Sequence, residues 1–386
     1  MKFLLIYVPN LRFPSFSHDW KIYTFDDIAS YKKGPFGSAL KKDLFVPKSK
    51  ESVKVYEQQN AINKDCHLER YFISANYYEK MKSFTVYPGD TIVSCAGTIG
   101  ELYTLPENAD IGIINQALMI IRNNQAIILK DFLNIQFSRM IDEFSKTYSN
   151  GSAIKNIPPF SDLKRKKTYV PDKLEQEKII KFISLLDQKI TTQIKIIDDY
   201  NSLKMGIYNC MFKENYADYK LKQLAYIVKG DQINNDQLLS NGSYYMMNGG
   251  ASPSGYLDSY NVSENTISIS EGGNSCGYVQ FNSSPFWSGG HCYTIQNVNS
   301  ALIENKYLYH YLKYKEKEIM NLRIGTGLPN IQKKDLENFT ILVPSLLIQR
   351  KNLALFEMLD EKISILNEEL ANLQKQKKYL LCNMFI

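Results

Sequence analysis

The chain has 386 residues, 44% of them hydrophobic, 22% charged and 12% aromatic, with a formal net charge of +6. That length allows two or three domains, each able to bury its own core, and the mild basicity suits a polyanionic partner without demanding one. Six scattered cysteines with no C-x-x-C pair exclude a disulfide framework and point to reduced, intracellular thiols.

The chain opens Met1-Lys2-Phe3-Leu4-Leu5-Ile6-Tyr7-Val8-Pro9, an apolar run too short for a secretory signal and without a small-residue cleavage site. No stretch approaches the ~18 apolar residues of a membrane span, so a soluble, cytoplasmic protein is expected. Residues 1–171 read as a first domain rich in β-branched and aromatic residues, Gly and Asn, with strand-like runs such as Thr91-Ile92-Val93-Ser94. Near its end, Asn156-Ile157-Pro158-Pro159-Phe160 invites comparison with the N-P-P-F/Y motif that holds a flipped adenine in methyltransferases. An extra Ile interrupts it, and no glycine-rich cofactor loop accompanies it, so it does not mark a methyltransferase site. The run Lys164-Arg165-Lys166-Lys167 suits either phosphate contacts or a solvated stretch.

Residues 172–214 read as a long helix. Ile183, Leu186, Ile190, Gln193, Ile197, Tyr200, Lys204, Ile207 and Met211 alternate in steps of three and four, which keeps one apolar stripe facing a partner helix. A second domain, 215–344, follows, with strand-like Thr266-Ile267-Ser268-Ile269. Its start, Tyr219 to Ile227, resembles Trp20 to Ile28 at an offset of 199, which makes the first domain about 26 residues the longer.

Residues 345–386 form the second helix, with the seam Phe356, Leu359, Ile363, Leu366, Leu370, Leu373, Lys377, Leu380 and Met384. Leu174 to Phe212 aligns without gaps on Leu347 to Phe385 at an offset of 173, with ten identities in 39 positions, among them Gln176/Gln349, Asp187/Asp360 and Lys204/Lys377. Asp162-Leu163 and Val170-Pro171 recur as Asp335-Leu336 and Val343-Pro344 at the same offset. So long a period excludes a solenoid. The fold class expected is α+β: two similar recognition domains, β-rich and mixed α/β, separated by two long antiparallel coiled-coil helices in a pseudo-twofold tandem duplication. Each helix would extend about 58 Å. A polar Lys at the same step of both seams costs stability but can fix register.

Catalytic chemistry finds little support. There is no Walker A loop. Asp360-Glu361-Lys362 and Asp187-Gln188-Lys189 lie within periodic helices and read as solvated faces rather than a nuclease cluster. Cys66-His67 and His291-Cys292 lack the paired spacing of zinc ligands, and only four His are present. Neither a catalytic nor a metal site is expected.

With these residues in place, the chain resembles the specificity (S) subunits of type I restriction-modification systems. Leu11-Arg12-Phe13-Pro14-Ser15-Phe16 with Trp20, Gly89-Asp90-Thr91-Ile92-Val93-Ser94 and Ala96-Gly97-Thr98-Ile99-Gly100 carry the likeness in the first half. Asn248-Gly249-Gly250, Gly255-Tyr256, Gly273-Asn274-Ser275-Cys276-Gly277, Trp287 and Gly325-Thr326-Gly327-Leu328-Pro329-Asn330-Ile331 carry it in the second. The resemblance implies that each recognition domain reads one half of a bipartite site in double-stranded DNA, while the helices set the gap. It also implies two modification subunits that methylate adenine from S-adenosylmethionine, and restriction subunits that cut DNA using ATP and Mg. No cofactor is expected on this chain itself.

Phosphate contacts need Lys, Arg, Ser, Thr, Asn or backbone N–H groups, and base edges favour Arg or Lys on guanine and Asn or Gln on adenine. On that basis the DNA-binding candidates are Lys32, Lys33, Thr98, Asn150, Ser152 and Lys155 in the first domain. In the second they are Lys229, Asn248, Asn274, Ser275, Arg323, Thr326 and Asn330. Two other readings compete: a stand-alone DNA methyltransferase or nuclease, and a coiled-coil scaffold whose two heads bind something other than DNA. Methylation by the purified chain alone would favour the former, and binding insensitive to salt and sequence the latter.

Overall fold

A computed structural model describes residues 8–148, 160–212, 216–325, 327 and 329–386. The chain divides into two units, one running to Thr191 and including Asn372–Ile386, the other Thr192–Ala371. Each long helix therefore contributes its two ends to different units.

Both units begin with the same short construction. In the first, strand Lys21–Thr24 pairs antiparallel with Lys167–Val170, and a one-turn helix, Phe25–Ile28, leads into strand Ala29–Lys33. Asp27 caps that turn, accepting from the Thr24 N–H at 2.7 Å and its hydroxyl at 2.6 Å. In the second, Ala217–Lys220 pairs with Thr340–Val343, and Leu221–Leu224 leads into Tyr226–Lys229, with Gln223 capping the Lys220 N–H at 2.6 Å. Thr24 opposite Lys167 corresponds to Lys220 opposite Thr340, so Phe25 is equivalent to Leu221 and the offset is 196, not 199. The expected match placed Phe25 and Ile28 on Leu224 and Ile227. Apolar residues three apart occur at Leu221/Leu224 and again at Leu224/Ile227, so the sequence pattern fits equally well one turn out of register.

The principal sheets are duplicates. The first unit orders Ala29–Lys33, Leu118–Asn123, Thr91–Ser94 and Leu102–Thr104 side by side, all antiparallel. The second orders Tyr226–Lys229, Cys292–Gln296, Thr266–Ser270 and Val279–Asn282 in the same way. The β-branched runs read from the sequence are interior strands of these sheets, and all four residues of Thr91–Ser94 are buried. In both units the turn after that strand closes on glycine. The Gly100 N–H donates to the Ser94 carbonyl at 2.9 Å, and the Gly277 N–H to that of Ser270 at 2.8 Å. Their φ values are +85° and +91°. A Cβ would lie 2.6 Å from Ile141 Cγ2 at the first and 2.8 Å from the Met320 Cα at the second, so each turn needs both left-handed backbone and an absent side chain.

The units differ between the first and third strands of these sheets. Residues 34–90 contribute to a five-stranded mixed sheet, Phe45–Val46, Tyr71–Ser74, Ser52–Tyr56, Gly112–Ile114 and Thr85–Val86. Residues 230–265 supply only two strands of a three-stranded sheet, Gly255–Leu257 and Tyr244–Met247, completed by Trp287–Ser288.

The long helices span Lys173–Met211 and Leu346–Asn383. Near the start of each stands a fully buried glutamine. Gln176 donates to the carbonyls of Ile127 and Pro171 (3.1 and 2.9 Å) and accepts from the Leu129 N–H at 2.7 Å. Gln349 repeats this on Leu302, Pro344 and Glu304 (2.9, 2.8 and 2.8 Å). The helix ends are anchored alike: Phe385 enters the first unit's core beside Trp20, Phe132 and Ile183, and Phe212 the second's beside Tyr307, Tyr311 and Phe356.

Within each unit the helical segments run antiparallel. Every seam position is buried or half-buried, including Ile183, Leu186, Ile190, Ile197, Tyr200, Ile207, Phe356, Leu359, Ile363, Leu366, Leu370, Leu373 and Leu380. The two seam lysines meet aspartates of the opposite helix: Lys377 pairs with Asp187 at 2.5 Å in the first unit, and Lys204 with Asp360 in the second. Asp187 and Asp360 are thus not merely solvated, as the sequence suggested. Each is half-exposed and supplies the counterion for a lysine near the seam. Gln193 adds hydrogen bonds at 3.0 Å to the Leu366 carbonyl and to Glu369.

Candidate nucleic-acid interface

In the second unit, the edge strand, the glycine turn and the segment before strand Thr340–Val343 converge on a cleft of about 500 Å³. Lys229, Asn248 and Asn330, three of the sequence candidates, line it together with Glu271 and His291. Each is placed by backbone pairing. Asn330 forms an isolated bridge with Ile324, and the Gly273 N–H donates to the Pro329 carbonyl at 3.0 Å, stitching this segment to the glycine turn. Asn248 accepts from the His291 N–H at 2.9 Å. Lys229, half-exposed, reaches Glu271 Oε1 at 2.6 Å, and the Tyr293 hydroxyl donates to the same oxygen at 3.1 Å. Burial and the adjacent Glu271 push the Tyr293 phenol well above its ordinary range, so it stays a donor. Asn274 and Ser275 stand on the glycine turn, exposed and half-buried, and Arg323 is exposed.

The first unit has the same framework with other side chains. Sheet register makes Lys33 equivalent to Lys229, Met119 to Tyr293, Ala117 to His291 and Cys95 to Glu271. Burial pushes the Cys95 thiol up to about 12, so it stays neutral. Lys32 and Lys33 are exposed, the Lys32 ammonium 4.6 Å from the centre of the Phe84 ring. Thr98 is exposed on the glycine turn, and Gln58, which the sequence reading passed over, donates to the carbonyls of Ala96 and of Thr98 (3.2 Å). Asn150, Ser152, Lys155 and Thr326, like the Asn156–Pro159 motif, lie outside the described residues.

Of the basic run, Lys164 pairs with Asp26 at 2.7 Å and Lys166 with Glu143 at 2.5 Å, while Arg165 and Lys167 are exposed. Asp65, Cys66 and His67 bring their ligand atoms within 4.8 Å of one another. They are consecutive residues of one turn in which Asp65 Oδ1 accepts the His67 N–H at 2.7 Å, a local cap rather than a ligand cage. No helix among the described residues is long and apolar enough to cross a membrane.

Glu271, His291 and Tyr293 were not among the sequence candidates. A carboxylate beside a polyanion runs against the charge argument, and the only signal was position: Glu271 immediately precedes the glycine pair of the turn.

A duplicated α+β scaffold with one strand order and unlike polar surfaces beside an equivalent glycine turn defines a class of protein, a tandem duplication of one α+β unit. The family model described as type I restriction modification DNA specificity domain matches residues 17–198 and 213–375, and the chain belongs to that family. A Mycoplasma pneumoniae protein named as a type I specificity subunit is 34% identical over 155 residues, covering 40% of this chain and 41% of that protein. One from Mycoplasma genitalium, named likewise, is 32% identical over 127 residues, 33% of each. The matched region thus spans well under half the length of these relatives. The crystal structure of the type I restriction-modification S subunit from M. genitalium shares the fold, with a TM-score of 0.61 at 20% identity over 98% of this chain and 99% of that one.

Proposed function

We propose that this chain is the DNA sequence-specificity subunit of a type I restriction-modification enzyme. Each unit reads one half of a bipartite site in double-stranded DNA, and the paired helices set the gap. The observation that carries this reading is the duplicated sheet and glycine turn with different side chains at equivalent positions, since one scaffold with two surfaces suits two unlike half-sites.

Methyl transfer from S-adenosylmethionine and ATP- and Mg-dependent cutting belong, in this proposal, to modification and restriction subunits, with no cofactor bound here. Two modification subunits are proposed because an exposed apolar stripe recurs at the 173-residue repeat. Leu174 and Leu185 are 70% and 55% exposed, and their counterparts Leu347 and Met358 are 80% and 59%. Eleven residues make about three helical turns, so each pair shares a face.

The test is to map methylated adenines in DNA from cells expressing this chain with its modification subunit. A bipartite motif with two unlike halves is expected. Methylation by the purified chain alone, or a single undivided motif, would overturn the assignment.

A further inference from the structure

The cleft of the second unit contains a carboxylate whose placement an ion pair does not explain. Glu271 is 8% exposed, and its Oε1 is engaged twice, by Lys229 at 2.6 Å and by the Tyr293 hydroxyl at 3.1 Å. Its Oε2 is buried and accepts no hydrogen bond among the described residues, with the His291 ring nitrogen Nδ1 3.4 Å away. A buried carboxylate oxygen without a donor is costly. It is held in place by strand pairing: the Glu271 N–H donates to the His291 carbonyl at 2.9 Å, and the Ile331 N–H to the Glu271 carbonyl at 2.8 Å. Gly272 and Gly273, which follow it, line the same cleft. At the equivalent point of the first unit stands neutral Cys95.

We propose that Glu271 is a specificity-determining residue of the second unit, its carboxylate accepting a hydrogen bond from the exocyclic amino group of a DNA base. This rests on the reading of the chain as a DNA-specificity subunit. The chemistry fits: a carboxylate accepts from an amino group, cytosine N4 or adenine N6, and is repelled by the keto oxygen of guanine or thymine. Lys229 offsets the negative charge near the phosphates, while Asn248 and Asn330 line the same cleft. The first unit, with a thiol at this position, lacks this discrimination.

The test uses the complex of this chain with its modification subunit, binding duplexes of its mapped site. In the second half-site, each cytosine is replaced in turn by 2-pyrimidinone and each adenine by purine, which removes only the amino group. One position is expected to lose affinity on the order of tenfold, and whether it is a cytosine or an adenine identifies the base. In Glu271→Gln, and in Glu271→Asp should the first not fold, that sensitivity should shrink while the first half-site responds as before. Insensitivity of every second-half position in the unaltered protein overturns the proposal whatever the variants do. So does sensitivity that persists undiminished in a folded variant. If the unaltered complex shows no bipartite preference at all, it is the specificity-subunit reading that fails.

Discussion

His310 sits among Tyr208, Phe356 and Tyr309 in the second unit's core, 2% exposed, with the Tyr208 hydroxyl 2.8 Å from Nδ1. Burial pushes its pKa down from 6.5 to about 3, with Lys204 and Lys306 acting in the same direction. Asp360 Oδ2, at 3.9 Å, does not offset them. The folded imidazole is therefore neutral where the unfolded one takes a proton, so the unfolded state binds more protons between about pH 6.5 and 3. The associated stability is complete above pH 6.5 and is lost as pH falls through that window, by at most about 1.4 kcal/mol per pH unit. His310→Gln keeps an acceptor for Tyr208 and removes the titration. Urea unfolding at pH 7 and pH 5 should show the second unit of the variant losing less stability on acidification than the parent, and equal losses would refute the assignment. Gln176 and Gln349 stood out as identities between the two repeats without revealing their role. Two of the three backbone partners of each lie some 45 to 49 positions away in sequence, which a one-dimensional pattern does not bring together.

Among the elements, the long helices were the most legible, because a three-four apolar alternation repeated at a fixed offset has few other physical interpretations. The lysine at the same step of each seam was visible too, but its partner was not. The spacing places Asp187 and Asp360 one residue beyond a seam leucine, a position that reads as solvent-facing until the opposite helix is present. Since each pair remains partly exposed, its coupling should be modest, about 0.5–1 kcal/mol. Asp187→Lys should lower the unfolding midpoint of the first unit by juxtaposing two lysines, and adding Lys377→Asp should recover most of the loss. A reversed pair no more stable than the single variant would show that the interaction contributes nothing. Short elements were harder: the one-turn helices were matched a turn out of register, because four residues carry too little pattern to choose between equivalent apolar spacings.

For the whole molecule, duplication could be read because the helices kept their sequence while the heads diverged. What distinguishes the heads could not, since the sheet register that aligns Glu271 with Cys95 is a property of strand pairing. If recognition resides in the heads and spacing in the helices, the two should be separable. Removing residues 189–202 and 362–375, equivalent by the 173-residue repeat, takes two heptads from each helix and leaves Asp187, Lys204, Asp360 and Lys377 in place. The deletion preserves the apolar seam, because fourteen residues are a whole number of heptads, and it shortens each rod by about 21 Å. Along duplex DNA that is about six base pairs at 3.4 Å each, more than half a turn. The expected result, read by mapping methylated adenines, is a bipartite motif with a changed gap, or none if the altered helical phase prevents simultaneous engagement. Wherever a motif survives, each half should keep its sequence. Half-sites with new sequences would mean that the helices take part in base recognition and that the division of labour between heads and rods is wrong.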